Sequence, residues 1–359
     1  MHLLRAFQSI LFLFILCSAG AQSKVDTNYI QRFPNKLVLS PYLSSSSNSL
    51  TIKPWNDRID SSHSVDYEPN LRGGYGLSFS YRIVDFSIGF RQKLSAESER
   101  TYGKSTSLGI GFRLWASRKV LTEFSLQSVN GYANTSTPLY DTINFTRQNP
   151  YEHRQDLGVF LIKMRLVYQF NPDKFSYRAS FGFSERQLKS SAGFLLSSQA
   201  YAEVVYADSA LIPEKLRPHY GDAGRISEVS IAALGVAPGI GGTWTKGRWF
   251  LTGVLFVGID LQRLGYDVPG TGTVKSERKF AANADFRFSF GYNTPRVFFG
   301  FQNSTDYNLL RPSKFKVNSS FNRSSLSIGY RFNSPKVVDK TYDAVVNTII
   351  PKKLRKFMY

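Results

Sequence analysis

The sequence predicts an all-β fold: a closed antiparallel transmembrane β-barrel of about 12 strands (range about 10 to 14), with short periplasmic turns and long extracellular loops. Three observations predict it. Long segments alternate apolar and polar residues, the connections between them alternate short and long, and an export leader is followed by no second apolar segment.

The leader comes first in the chain. Arg5 precedes the apolar run Ile10 to Cys17, and the small residues Ala19-Gly20-Ala21 stand before Gln22, the three-part pattern of a secretory signal peptide. Residues 1–21 are therefore set aside from the fold. Leu16, where a lipoprotein signal needs a small residue, argues against a lipid anchor on Cys17. After cleavage no cysteine remains, so neither disulfides nor thiol chemistry are available. A spanning helix needs about 20 consecutive apolar residues, and nothing after Ala21 approaches that. Aromatic residues make up 15% of the chain, with 29 Phe and 20 Tyr, while the mean hydropathy is slightly negative. A barrel reconciles the two, because alternate residues face lipid and lumen. The net charge of +19 would suit a nucleic-acid binder, but export and the lack of a long basic run exclude that partner.

The strands show their period directly. Tyr75, Leu77, Phe79 and Tyr81 alternate with Gly76, Ser78, Ser80 and Arg82; Val84, Phe86, Ile88 and Phe90 alternate with Asp85, Ser87, Gly89 and Arg91. The pattern recurs at Leu108, Ile110, Phe112, Leu114 and at Phe160, Ile162, Met164, Leu166, Tyr168. It recurs again where Phe286, Phe288, Phe290 and Tyr292 oppose Asp285, Arg287, Ser289 and Gly291.

Five tight connections separate these strands, at Arg82-Ile83, 116–119, Asn171-Pro172-Asp173-Lys174, 245–248 and 293–296. Six long polar segments fall between them, at 54–72, 93–104, 132–154, 206–227, 265–276 and 307–319. Eleven connections give twelve strands with both ends on the short-turn, periplasmic side. The domain plan is a signal peptide (1–21), a periplasmic N-terminal segment (22–35), the barrel (36–332) and a basic periplasmic tail (333–359). The tail has a short helix over 340–350 and then Lys352-Lys353-Leu354-Arg355-Lys356, which either lies against anionic lipid or stays unstructured. Two places strain the count. Residues 36–53 must be one strand despite the serines 44–47, and 175–205 is too long for one, so Gln187 to Ser198 either kinks, folds inward or adds a hairpin.

Aromatic residues gather beside the short turns at Tyr81, Trp115, Tyr168, Trp244, Trp249, Tyr292 and Tyr330, where an interfacial girdle places amphipathic rings. The last strand carries Leu326, Ile328, Tyr330 and Phe332 on alternate positions, similar to the terminal signal by which outer-membrane barrels are recognised for assembly.

Asp26-Thr27-Asn28-Tyr29-Ile30, Tyr67-Glu68-Pro69-Asn70, the stretch 174–179 and the stretch 187–193 are short segments that resemble a family of Bacteroidetes outer-membrane proteins known only as a domain of unknown function, number 4421. The resemblance implies export and a barrel in the cell outer membrane, and brings no activity, cofactor or catalytic residue.

On the alternation, the lumen receives Arg82, Arg91, Arg113, Lys163, Arg165, Arg178, Arg186, Arg287, Arg296 and Arg331 against Asp85, Glu123, Asp260 and Asp285. Rings of basic side chains attract anions into a pore. The bland alternative is a salt-bridged interior. Charges on the lipid face near mid-bilayer would cost about 2 to 4 kcal/mol, which favours inward placement. No catalytic set or metal cluster stands out: His63, His153 and His219 all fall in loops, where His153 with Asp156, or His219 with Asp208 or Asp222, are the only pairings. Gly235 to Gly242 is not a phosphate loop, since no Lys-Ser/Thr follows. It gives a strand room to bend or an inner segment room to approach. The triplets 141–143 and 208–210 resemble an O-glycosylation site.

Two functions follow. One is a narrow pore favouring small anionic solutes; the other is a closed-lumen structural or surface-interaction barrel that binds a partner through its loops. No cofactor is expected. The partners expected are outer-membrane lipid and lipopolysaccharide, and the barrel assembly machinery during biogenesis.

Overall fold

The computed structural model describes residues 25–55, 63–71, 73–267, 274–310 and 315–349. The signal peptide and the basic stretch 352–356 lie outside them. Twelve antiparallel strands form a closed ring: β2 (Lys36–Pro54), β4 (Gly74–Tyr81), β5 (Val84–Arg91), β6 (Thr106–Trp115), β7 (Val120–Asn134), β8 (Glu152–Gln169), β10 (Ser191–Tyr206), β11 (Glu228–Lys246), β12 (Trp249–Asp267), β13 (Val274–Asn293), β14 (Val297–Leu310) and β15 (Phe315–Asn333). Each pairs with the next, and β15 returns to β2, so no edge strand is left over. The expected fold class and strand number are those observed.

Closure uses the serines that interrupt the alternation in β2. The β15–β2 ladder runs from Lys36↔Asn333 to Pro54↔Phe315, and in its middle Ser44, Ser45 and Ser46 face Ser325, Ser324 and Arg323. Small side chains fit either face, so the pattern breaks while the strand continues. Outside, the alternation produces an apolar belt: Phe86, Ile110, Leu234, Leu255, Phe286, Phe299 and Ile328 are all exposed. That belt is the surface of a barrel solvated by lipid tails. Leu326, Ile328, Tyr330 and Phe332 belong to it.

Four of the five short connections are as expected, at 82–83, 116–119, 247–248 and 294–296. The fifth is not. Asn171 to Lys174 does not turn β8 into β10; instead residues 170–190 fold back into the bore, carrying helix α3 (Tyr177–Phe181) and strand β9 (Glu185–Gln187). The wall resumes at Ser191, so of the stretch Gln187 to Ser198 only 187–190 belong to the inward segment, which begins well ahead of it, and the rest is wall strand. Ser176 caps α3, its Oγ accepting from the Ala179 N–H at 3.1 Å, and Gly182 ends it. β9 pairs with β1 (Ile30–Arg32), which draws the N-terminal segment into the same end.

At the other end apolar side chains pack together across the mouth. β3 (Val65–Glu68) bridges β2 to β7 across the mouth, and a 3₁₀ segment, Glu214–Arg225, descends between the strands. Tyr67, Leu211, Leu216 and Tyr220 pack there against inward residues of the wall, among them Tyr132, Tyr201, Ile231 and Leu264. Lys215 ties this cap to the neighbouring loop through Asp141, 2.7 Å away, and with Asn144 holds that carboxyl down at about 2. That loop carries helix α2 (Thr137–Tyr140), and the loop after β5 carries helix α1 (Ala96–Tyr102), capped by Ser95.

The wall is uneven. β4 and β5 have 8 residues each, against 19 in β12 and 20 in β13. After β15, helix α4 (Lys336–Ile349) begins four residues earlier than expected. It lies under the short-turn end, with Tyr342 against Tyr81 and Asp343 2.7 Å from Arg82.

Candidate functional site

The inward face of the wall concentrates charge at mid-height. β7 and β8 place Glu123 opposite Arg165, and β13 and β14 place Asp285 opposite Asp306. Two like charges side by side on β13 and β14 would repel. They are held by cations reaching across the bore: Arg165 binds Asp285 and, at 2.7 Å, Glu123, while Lys163 meets Asp306 at 3.2 Å. Arg287 closes the square, 2.8 Å from Glu123 and 3.1 Å from Asp285. Because the partners sit on opposite sides of the ring, this network ties the lumen across its width.

Below it lies the inward segment. Tyr177 receives a hydrogen bond from Arg287. The Ser180 carbonyl accepts from Ser289 Oγ and Gln302 Nε2, both at 2.8 Å. The Phe181 carbonyl accepts from Arg113 at 2.7 Å, and the Phe183 carbonyl from Arg331 Nε at 2.9 Å. Phe183 itself adopts φ 53, a left-handed backbone that a bulky residue holds only when its surroundings over-determine it. Its ring stacks on Phe298 at 4.2 Å between centroids and lies over Gly300, where a Cβ would come 2.5 Å from its Cζ. Gly241 does the same for Phe175, whose Cζ lies 2.9 Å from where a Cβ would be. The glycine-rich stretch of β11 thus gives room to an inner segment. Gly300→Leu is expected to force Phe183 out of its slot, at a cost of about 1 to 3 kcal/mol by overpacking, and limited proteolysis within 171–190 should detect the loosening.

Between plug and cap, one side of the lumen keeps a cavity of about 250 Å³. It is lined from β2, β4 to β8 and β13 to β15, and among its lining residues are Arg113, Lys163, Arg165, Arg287 and Arg323 against Asp85, Glu123 and Asp306. Counting Asp285 behind it, cations exceed carboxylates by one.

The residues expected in the lumen divide as follows. Arg113, Lys163, Arg165, Arg287, Asp85, Glu123 and Asp285 meet around this cavity. Asp260 is fully buried nearer the cap, accepting from Gln199, Tyr201 and Asn283. Arg91 reaches Ser46 and Ser107. Arg331 grips the plug, and Arg178 belongs to the plug itself, with its guanidinium 4.8 Å from the Trp115 ring. Three expectations are corrected. Arg82 sits in the β4–β5 turn with φ 48 and pairs with α4, outside the bore. Arg296 is exposed in the β13–β14 turn. Arg186 lies on β9, not on a wall strand, and reaches the Gly247 carbonyl. The girdle also loses Trp115, which is 1% exposed and donates to Asp85 at 3.1 Å; its parity with Arg113 already points inward.

Asp306, Glu203 and Arg323 were not anticipated, although each lies on the inward register of its strand. His153 Nε2 contacts the Thr101 carbonyl at 3.0 Å, and His63 stacks on His219 at 3.7 Å. Asp156 is taken by Arg154 at 2.9 Å. Among the described residues no cluster of metal ligands occurs.

Among solved structures, the chain is similar to the outer-membrane protease OmpT of Escherichia coli, at 8% identity and a TM-score of 0.37, covering 84% of this chain and 98% of that one. It is also similar to the translocator domain of the autotransporter NalP from Neisseria meningitidis, at 8% identity and 0.33, covering 91% and 96%. A third is the toluene transporter TodX of P. putida, at 8% and 0.28, covering 84% and 92%. No curated protein matches in sequence. A family model does match, over residues 24–332. The chain belongs to that family, described as a domain of unknown function, DUF4421.

Proposed function

We propose that this chain is an outer-membrane barrel with a lumen closed along its axis, which acts through what binds its wall, its loops or its inner cavity. The observation that carries this reading is the segment 170–190 folded into the bore and hydrogen-bonded to inward residues of β6, β13, β14 and β15. The apolar cap closes a second level, and the cross-bore ion pairs narrow the lumen between the two. In this reading the short turns face the periplasm and the cap faces outward, lipid and lipopolysaccharide surround the belt, and the terminal strand is presented to the assembly machinery. A pore for small anions is the second reading, favoured by the cationic excess in the cavity, and it requires plug and cap to leave the bore.

The test is conductance of the refolded mature chain in a planar bilayer under a salt gradient. The expected result is a folded barrel that stays silent. A steady anion-selective conductance from the unaltered chain would sink the closed reading.

A further inference from the structure

We propose that the cavity takes the charged head of an anionic amphiphile, a carboxylate or phosphate on an alkyl tail, which enters sideways through the wall between β5 and β6. The proposal rests on the closed-lumen reading only in that the two axial routes to the cavity are stopped.

The seam is open in the hydrogen-bond register. β5 and β6 pair at only three positions, Val84↔Leu114, Asp85↔Arg113 and Phe86↔Phe112. Both strands continue: β5 stays paired with β4 as far as Arg91, and β6 with β7 from Thr106. From Ser87 and Gly111 onward their facing edges are therefore not joined to each other. Unpaired backbone at membrane depth is costly and is tolerated where it lines a cavity. Here it does. Ser87 and Gly111 line the cavity, and a Cβ on the neighbouring Gly109 would meet nothing within 4 Å, so the inner side is open beside these residues, while nearer the strand ends Arg91 of β5 donates across the seam to Ser107 of β6 at 2.9 Å.

The two faces of the seam differ in chemistry. Outside, Phe86, Ile88, Phe90, Leu108, Ile110 and Phe112 are exposed, an apolar rim suited to an alkyl tail. Inside, Arg113 and Arg323 have no carboxylate within ion-pair distance among the described residues, whereas Lys163, Arg165 and Arg287 are all paired. Arg113 makes its hydrogen bond to a plug carbonyl, and Arg323 lies 5.9 Å from the ring of Tyr42. Two guanidinium groups without an ion pair among the described residues, behind an apolar slot, call for an anion that brings its own tail. Such forks bind carboxylate and phosphate oxygens well.

The experiment places the full mature chain in phosphatidylcholine vesicles with a fatty acid carrying a photoactivatable diazirine in mid-tail, and in parallel with the uncharged fatty alcohol of the same length. Label from the acid should concentrate on 86–90 and 108–112. It should fall by about tenfold in Arg113→Gln/Arg323→Gln, the loss expected for one or two charge-assisted hydrogen bonds. The alcohol should show no such concentration. Ser87→Cys/Gly111→Cys, at the next pair of the register, should lose the label when oxidised and regain it on reduction, which reports the seam in one folded protein. Even labelling around the belt, equal labelling by the alcohol, or labelling that survives the disulfide would overturn the proposal. Millimolar inorganic phosphate should leave the label unchanged; displacement would show a site for free anions and overturn the amphiphile. Conductance of the unaltered chain bears on the closed lumen alone, so either idea can fail without the other.

Discussion

Replacing 171–190 by a short turn and, in the same chain, 208–226 by a glycine-serine linker is expected to give a steady ohmic conductance in planar bilayers, while either change alone leaves the barrel silent. The plug and the cap stand in series. The first is held by polar contacts from β6, β13, β14 and β15, and the second by burial of Tyr67, Leu216 and Tyr220 among inward apolar residues of the wall. In the closed-lumen reading proposed above each stops the bore by itself, so the effect of removing both exceeds the sum of the parts. The current should favour anions, because losing the plug strips Arg113 of its Phe181 carbonyl and Arg331 of its Phe183 carbonyl, which turns more of their charge toward water. The reversal potential under a salt gradient measures this. Conductance after plug removal alone would show that the cap is not tight.

Arg165→Met is the single substitution with the largest expected cost to stability. Its side chain is 3% exposed and holds both Glu123 and Asp285. Removing one partner of a buried ion pair leaves an uncompensated charge and costs about 3 to 5 kcal/mol. The cost is compounded here because Asp285 stands opposite Asp306 in the ladder. The urea midpoint of the folded barrel, read by its heat-modifiable mobility on a gel, should fall sharply. The triple variant Arg165→Met/Glu123→Gln/Asp285→Asn should regain most of the loss, since no charge is then stranded. Equal midpoints for single and triple variants would show that the network contributes little.

The wall of this barrel was legible because lipid and lumen impose a period of two on every strand that separates them. β13 shows it without interruption from Asp285 to Tyr292, and the five connections beside such strands placed four turns within a residue or two. The plug was not legible, for a reason visible in its residues. Phe175, Tyr177, Ala179, Phe181 and Phe183 also alternate, and that pattern reads as one more strand. In the fold their side chains are all buried within the bore, where alternation carries no information about direction. The cap was hidden by the complementary assumption that inward positions are polar. Leu50, Ile52, Val229, Ile231 and Val317 are inward and apolar, because what they face is protein. For the charged cavity, parity identified Arg113, Arg165, Arg287 and Glu123, and failed at Arg82, Arg186 and Arg296, which lie on a turn, on the inner strand and on another turn. Their charge was read correctly and their element was not.

The shortness of β4 and β5 has a mechanical consequence for the surrounding bilayer. Eight residues at about 3.4 Å each, tilted by about 40°, span about 20 Å of membrane depth, less than the apolar band of about 25 Å that such barrels present. Lipid tails beside these two strands must shorten or tilt to keep their ester groups in water, at a fraction of a kcal/mol per Å of mismatch. The leaflets are therefore drawn in on one flank of the molecule and not on the other. The protein carries its own dimple in the membrane, and the elastic cost of that dimple is lowered when another thin-walled flank, or lipids with short or disordered chains, come to share it.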